Sequence, residues 1–290
     1  MAATEEAVAI FRQLAGANPD GYNPYLAGAL DNLANRHFEL GHPADAVSAA
    51  EESVAIFREL AGTDPGLYRP GLAGSLHILG AGHSQLGRPA DAVAATGEAV
   101  AVYRELADAD PGRYHPGLAG ALDNLGVFYS ELGRPADAVA ATEEAVAVYR
   151  DLAGADPGRY RPGLAGALEW LGIRYSNLGR PADALPATKE AVAIYRDLAS
   201  ADPGRYRPDV ARSLTNLGVR HSELGRPADA LPSGREAVAI YRELASSDPD
   251  THRPGLANSL QNLGVLYSEL GRKPEAELAS AEAEALREKP

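Results

Sequence analysis

The stretch Asn124–Ala138, NLGVFYSELGRPADA, returns 46 residues later as WLGIRYSNLGRPADA (Trp170–Ala184) and again as NLGVRHSELGRPADA (Asn216–Ala230). Gly41, Gly87, Gly133, Gly179, Gly225 and Gly271 hold the same interval of 46 residues along the chain. A fixed period in this range is the mark of a stacked repeat array, whose units contact only their neighbours. The usual expectation of about two domains from a length of 290 residues therefore gives way to one array, 1–290.

Within the unit Pro116–Tyr160, the segment PGLAGALDNLGVFYSEL reads as a first helix. Pro116 suits a helix start, because the amide hydrogen it lacks would be orphaned there. Leu118, Leu122, Leu125, Tyr129 and Leu132 recur at three- and four-residue steps and form one apolar stripe. Gly133 supplies a left-handed cap. Pro135 opens a second helix with the stripe Ala138, Ala141, Ala145, Val148 and Leu152, and Asp137 in its first turn complements the helix dipole. The Pro- and Gly-rich GADPGRYRPG is expected to end that helix as a loop, with Asp64, Asp110, Asp156, Asp202 and Asp248 as turn formers.

No stretch alternates with period two, so no strand is expected. The fold class is all-α: an α-solenoid of antiparallel helix pairs with a 46-residue period. The pairs fall at 24–62, 70–108, 116–154, 162–200 and 208–246, and a last pair at 254–290 ends in a charged capping helix. A lone second-type helix, Ala3–Ala15 within 1–16, precedes them. A single unit buries too little apolar surface to offset its chain entropy, so the units must stack.

The net charge of -13 argues against nucleic acid and anionic membranes as partners. The chain has no cysteine, which excludes disulfides, thiolate catalysis and thiolate metal sites. No apolar run approaches the roughly 20 residues of a membrane span, and no signal peptide stands at the start. A cytoplasmic location is the resulting expectation. Arginine outnumbers lysine (only Lys189, Lys273 and Lys289) and alanine is abundant, which suggests a GC-rich bacterial genome.

Leu122, Leu125, Gly126, Tyr129, Ala138 and Ala145 together resemble the tetratricopeptide repeat, and the likeness recurs in every unit. The family's usual unit is about 34 residues; the longer helices here look like the extended repeats of kinesin light chain and of bacterial multidomain signalling proteins. The resemblance implies a right-handed superhelix, a concave wall made by the first helices, and non-catalytic binding of protein segments or peptides.

The face of each first helix opposite the leucine stripe should line that groove. One row there reads Asn32, Ile78, Asn124, Trp170, Asn216, Asn262, and its neighbour reads Asp31, His77, Asp123, Glu169, Thr215, Gln261. A turn away stand Gly28, Gly74, Gly120, Gly166, Arg212 and Asn258. In the other direction lie Asn35, Ala81, Val127, Ile173, Val219 and Val265, then Glu39, Gln85, Glu131, Asn177, Glu223 and Glu269. An Asn side chain both donates and accepts, so amides stacked at unit spacing can hold the backbone of an extended peptide. The resemblance to kinesin light chain implies this role for Asn32, Asn124, Asn216 and Asn262, while Ile78 and Trp170 interrupt the ladder. An equally open reading is that duplication copied the asparagines without a role. Trp170 either anchors an apolar side chain of a ligand or packs locally against Ile173. Arg212 either meets a ligand carboxylate or pairs with a neighbouring acid such as Glu169. Asp123, Glu169 and Asn258 complete the expected ligand-binding set.

His37, His83 and His221 take the place of Tyr129, Tyr175 and Tyr267 in the apolar stripe and read as fillers between helices. No metal site and no cofactor are expected. GRPADA lacks the glycine spacing and Lys-Ser/Thr pair of a nucleotide loop. No nucleophile, base and orienting group can be assembled, so the chain reads as a non-enzyme. The start of the chain matches the middle of a unit, AATEEAVAIFRQLA against AATEEAVAVYRELA, which leaves an apolar helix face for weak self-association or marks a cut from a larger protein.

Overall fold

The computed structural model describes residues 2–287; Met1 and residues 288–290, the ends of the expected array, lie outside the described residues. Among the described residues the chain is helical throughout, without a strand. The first helices of the repeats are α2 (Pro19–Glu39), α4 (Pro65–Gln85), α6 (Pro111–Glu131), α8 (Pro157–Asn177), α10 (Pro203–Glu223) and α12 (Pro249–Glu269). The second helices are α1 (Ala2–Ala17), α3 (Pro43–Thr63), α5 (Pro89–Ala109), α7 (Pro135–Ala155), α9 (Pro181–Ala201), α11 (Pro227–Ser247) and α13 (Lys273–Arg287).

The first helices begin five residues earlier than the sequence suggests, at Pro111 rather than Pro116 in the third repeat. No Tyr-Pro loop separates the repeats. Asp110 alone joins α5 to α6, as C-cap of one and N-cap of the other. Its carboxylate accepts the N–H of Arg113 at 3.1 Å. Asp64, Asp156, Asp202 and Asp248 do the same at their own helices. The following proline biases each aspartate away from the helical region and then takes the first helical position, where no amide hydrogen is needed. The DPG triplets are thus helix caps. Pro116 falls in the second turn of α6, where it forgoes one backbone bond that packing must offset.

The other joint is Leu-Gly-Arg. Gly87 has φ 67° and its N–H meets Ser84 O at 2.8 Å, while Arg88 N–H reaches His83 O at 2.9 Å. This pair of bonds is the Schellman closure, which needs a left-handed residue at the glycine. All six glycines of the 46-residue series have positive φ.

The chain divides into two compact units, Met1–Leu152 and Ala153–Pro290. In the first, α2 packs on α1 and α3, α4 packs on α3 and α5, and α6 packs on α5. They also touch one another, α2 to α4 and α4 to α6. In the second, α8 packs on α9, α10 on α9 and α11, and α12 on α11 and α13, while α10 also touches α8 and α12. Small residues permit this approach: Ala27, Ala73 and Ala119 in one unit, Ala165 and Ala211 in the other, are wholly buried. Leu30, Leu76 and Leu122, and likewise Leu168, Leu214 and Leu260, fill the core once per repeat. The glycine after the inner proline is equally constrained. A Cβ on Gly117 would stand 2.7 Å from the ring of Tyr103, so the ring seats only where that position has no side chain.

Successive second helices are linked by long side chains. Arg58 reaches Glu98 at 2.8 Å and Arg104 reaches Glu144 at 2.5 Å; in the other unit Arg196 reaches Glu236 at 2.6 Å. Such exposed pairs contribute little each, about 0–1 kcal/mol.

Candidate functional site

The expected groove rows lie on the first helices, but their depths differ. In the row beside the asparagines, Asp31, His77, Glu169 and Thr215 turn into the seams between first helices rather than out toward a ligand, and Asp123 turns to Tyr149 on α7. In the first unit Asp31 on α2 accepts from Ser75 Oγ on α4 at 2.8 Å, and Ser75 Oγ lies 2.9 Å from Ser53 Oγ on α3. The second carboxylate oxygen of Asp31 is buried without a hydrogen-bond partner. Burial raises the Asp31 pKa to about 6, against the opposing effect of Ser53 and Ser75. At the next seam His77 Nε2 meets Asn124 Nδ2 at 2.7 Å. With the amide donating, the imidazole is neutral, in keeping with the lowering of its pKa by burial. Asp123 pairs with the hydroxyl of Tyr149, whose pKa rises through burial and the nearby carboxylate.

In the second unit Glu169 is only 6% exposed. Arg212 meets it through Nη2 at 2.8 Å and Nε at 3.1 Å, and Asn216 Nδ2 donates to it at 2.7 Å. Burial pushes the Glu169 carboxyl up, and Arg212 pulls it back only part of the way. Arg212 also holds Asp209 at 2.8 Å. Of the two readings of Arg212, the internal pair is the one observed. Thr215 Oγ1 lies 2.8 Å from Ser259 Oγ at the following seam.

The structure therefore does not bring the asparagines together as one free ladder. Asn124 and Asn216 are half-buried and engaged with His77 and Glu169. Asn32 and Asn258 are exposed, and Ile78 packs against the core of its unit. Trp170 is 51% exposed, with the guanidinium of Arg174 5.5 Å over its ring.

Asn262 has a different setting. It lines a pocket of about 340 Å³ shared by α10, α11 and α12. Gly218, Gly234 and Leu266 are among its lining, Val219 and Val265 are its apolar sides, and Glu223 and Glu269 stand at one end. The position of Gly234 is Thr96, Thr142 and Thr188 in other repeats. Thr142 and Thr188 bond back into their own helices, Thr188 to Ala184 O at 3.0 Å, and Thr96 and Thr188 fill the space over the first-helix glycines Gly80 and Gly172. A Cβ on Gly172 would lie 2.4 Å from Thr188 Oγ1, whereas one on Gly218 would meet nothing within 3.7 Å. Two facing glycines thus open the pocket. The lapse from Thr to Gly at residue 234 is the sequence signal that would have found it.

Taken together, helix pairs joined by one- and three-residue links, with polar seams and a pocket between helices, define a helical-hairpin repeat protein. The tetratricopeptide repeat pattern matches residues 26–65, 118–157, 210–250 and 256–289, a little over half of the chain. The chain belongs to the tetratricopeptide repeat family. A second pattern, anaphase-promoting complex subunit 5, matches residues 73–111. No curated protein matches the chain significantly. Among solved structures it is similar to BtubC (BKLC) from P. vanneervenii, at 23% identity and TM-score 0.64, covering 83% of this chain and 89% of that one. The TPR-like repeats ascribed to a kinesin light chain of Podosopora anserina share 22% identity at TM-score 0.56, over 73% of this chain and 93% of that one. A signal transduction ATPase with numerous domains and a tetratricopeptide repeat sensor, from Pyrococcus horikoshii, reaches TM-score 0.70 at 13% identity. It covers 97% of this chain and 39% of that one. At these identities the likeness is one of fold. No helix among the described residues is long and apolar enough to cross a membrane.

Proposed function

We propose that the chain is a non-catalytic scaffold that binds an extended peptide or partner segment along its first helices. The observation that carries this reading is the pocket beside Asn262, because it opens on the face expected to line the groove. An apolar side chain fits between Val219 and Val265, and Asn262 offers a donor and acceptor to the adjoining backbone. Glu223 and Glu269 favour a basic residue next to it. Trp170, half-exposed in the same unit, is a second anchor. The net charge of -13 supports a protein or peptide partner over nucleic acid or an anionic membrane. The likeness to the repeat sensor of the signalling ATPase supports a place within a larger regulator, and the arginine- and alanine-rich composition favours a bacterial one.

The test is selection from a random peptide display library on the purified chain, followed by affinity measurement. Trp170→Ala and Asn262→Ala each weaken the selected peptides at least tenfold on this reading. Gly234→Thr, which restores the residue of the sibling repeats, closes the pocket and does the same. Unchanged affinity in all three removes the first-helix face from the account. A second reading, self-assembly through the N-terminal helix, rests on Ile10, which is 50% exposed on α1. Light scattering that reports a monomer at every concentration excludes it.

A further inference from the structure

We propose that His37, His42 and Asp45, at the hairpin between α2 and α3, form a binding site for a divalent transition metal ion of the Zn²⁺ type. One donor atom from each residue lies within 4.8 Å of the other two. His42 Nδ1 stands 3.6 Å from Asp45 Oδ2, and His37 Nδ1 stands 4.0 Å from the same oxygen. Ligand atoms about 2.0–2.2 Å from a tetrahedral ion are separated by roughly 3.3–3.5 Å. Small side-chain rotations therefore close this triangle on an ion, with no change in the backbone. The backbone itself is held: Gly41 takes φ 74°, and His42 N–H bonds to His37 O at 2.9 Å. Two imidazoles and one carboxylate select Zn²⁺, Cu²⁺ or Ni²⁺ over Mg²⁺ and Ca²⁺, which prefer oxygen alone.

The His37 side chain is only 13% exposed, and its Nδ1 is buried without a hydrogen-bond partner, as are those of His83 and His221 in hairpins that keep arginine; what sets His37 apart is the second imidazole beside it. Its Nδ1 faces the two exposed members of the group, His42 at 55% and Asp45 at 64%, which leave room for a water as fourth ligand.

The sibling hairpins show what this one has exchanged. Every one of them carries arginine where His42 stands: Arg88, Arg134, Arg180, Arg226 and Arg272. Arg134 lies 4.8 Å over the ring of Tyr129 and meets Asp137 at 2.7 Å, and Arg272 repeats this with Tyr267 and Glu275. A cation between a ring and a carboxylate is thus the standard furnishing of the turn. In the first hairpin the arginine and the tyrosine are both histidine, the carboxylate is kept, and a metal dication supplies the charge that arginine supplies elsewhere.

The experiment uses the full chain with any affinity tag removed. Co²⁺ is titrated by absorption and Zn²⁺ by competition with a chromophoric chelator. The expected result is one equivalent of Co²⁺ with visible bands of a tetrahedral site, displaced by Zn²⁺. His42→Arg gives the hairpin its siblings' residue and so keeps the fold, which circular dichroism checks. This variant and Asp45→Asn lose the visible bands and bind Zn²⁺ at least tenfold more weakly. Absence of the Co²⁺ bands in the wild-type chain, or equal affinity in wild type and His42→Arg, overturns the proposal.

Discussion

Asp31 and Glu169 occupy the same place in the repeat, three periods apart, and their surroundings treat them in opposite ways. Glu169 is enclosed by a guanidinium and an amide that together satisfy it. Asp31 has hydroxyls on one oxygen and nothing on the other. A carboxylate buried beside a cation costs little while the cation stays, and a great deal if it is removed. A carboxylate buried among hydroxyls is a standing cost at neutral pH. The lesson concerns register. Nearly identical repeats could pair with the wrong neighbour, yet four seams within the units each carry their own polar match. Asp31 fits Ser75, His77 fits Asn124, Glu169 fits Arg212 with Asn216, and Thr215 fits Ser259.

The contrast breaks most visibly at Arg212. Arg212→Ala leaves Glu169 buried with one amide, and it should cost about 2–3 kcal/mol, below the usual range for a buried pair because Arg212 is itself half-exposed. Urea denaturation measures it, and adding Glu169→Gln should recover about half of the loss. An undiminished midpoint in Arg212→Ala would show that the seam does not depend on charge.

The opposite sign is expected at Asp31. Its folded pKa of about 6 lies above the ordinary carboxylate value of 3.8. The folded state therefore holds the proton more tightly, and stability falls as pH rises between those two values. Asp31→Asn should accordingly stabilise the chain by about 1–2 kcal/mol at pH 7, an advantage that disappears near pH 4. Thermal denaturation at the two pH values decides it; a loss of stability at pH 7 would mean that the charged form is the one the seam prefers.

The smallest effect belongs to the second helices. Arg104→Ala removes an exposed pair with Glu144 and should cost at most about 0.5 kcal/mol, reduced further by salt. A cost as large as that of Arg212→Ala would erase the distinction between seam and surface.

Much of the fold was legible because a period and a few special residues suffice for it. The 46-residue interval, the left-handed glycines and the leucine stripe all carry over into the structure. The helix starts were misread because each repeat offers two prolines, and Pro111 and Pro116 are equally good openings on local grounds. The tie is broken by Asp110, whose carboxylate caps a helix as readily as it forms a turn. The candidate site was legible in direction but not in depth. Helical spacing shows which residues share a face, yet whether a row meets a ligand or a neighbouring helix depends on how closely the first helices approach. For that reason Glu169 is a seam residue and Asp123 meets a second helix, while Asn262 borders a pocket. Gly234 and His42 passed unnoticed because each matters by departing from its siblings at one position.

The single aspartate between α3 and α4, repeated at α5 to α6, has a mechanical consequence. A hinge requires a few loop residues free to absorb a change in backbone angles, and one residue that is both C-cap and N-cap has none to spare. Any bending of the chain must therefore be absorbed elsewhere, at the three-residue Leu-Gly-Arg links, so the two joints of each repeat divide the work: the aspartate fixes an angle and the glycine can let one give.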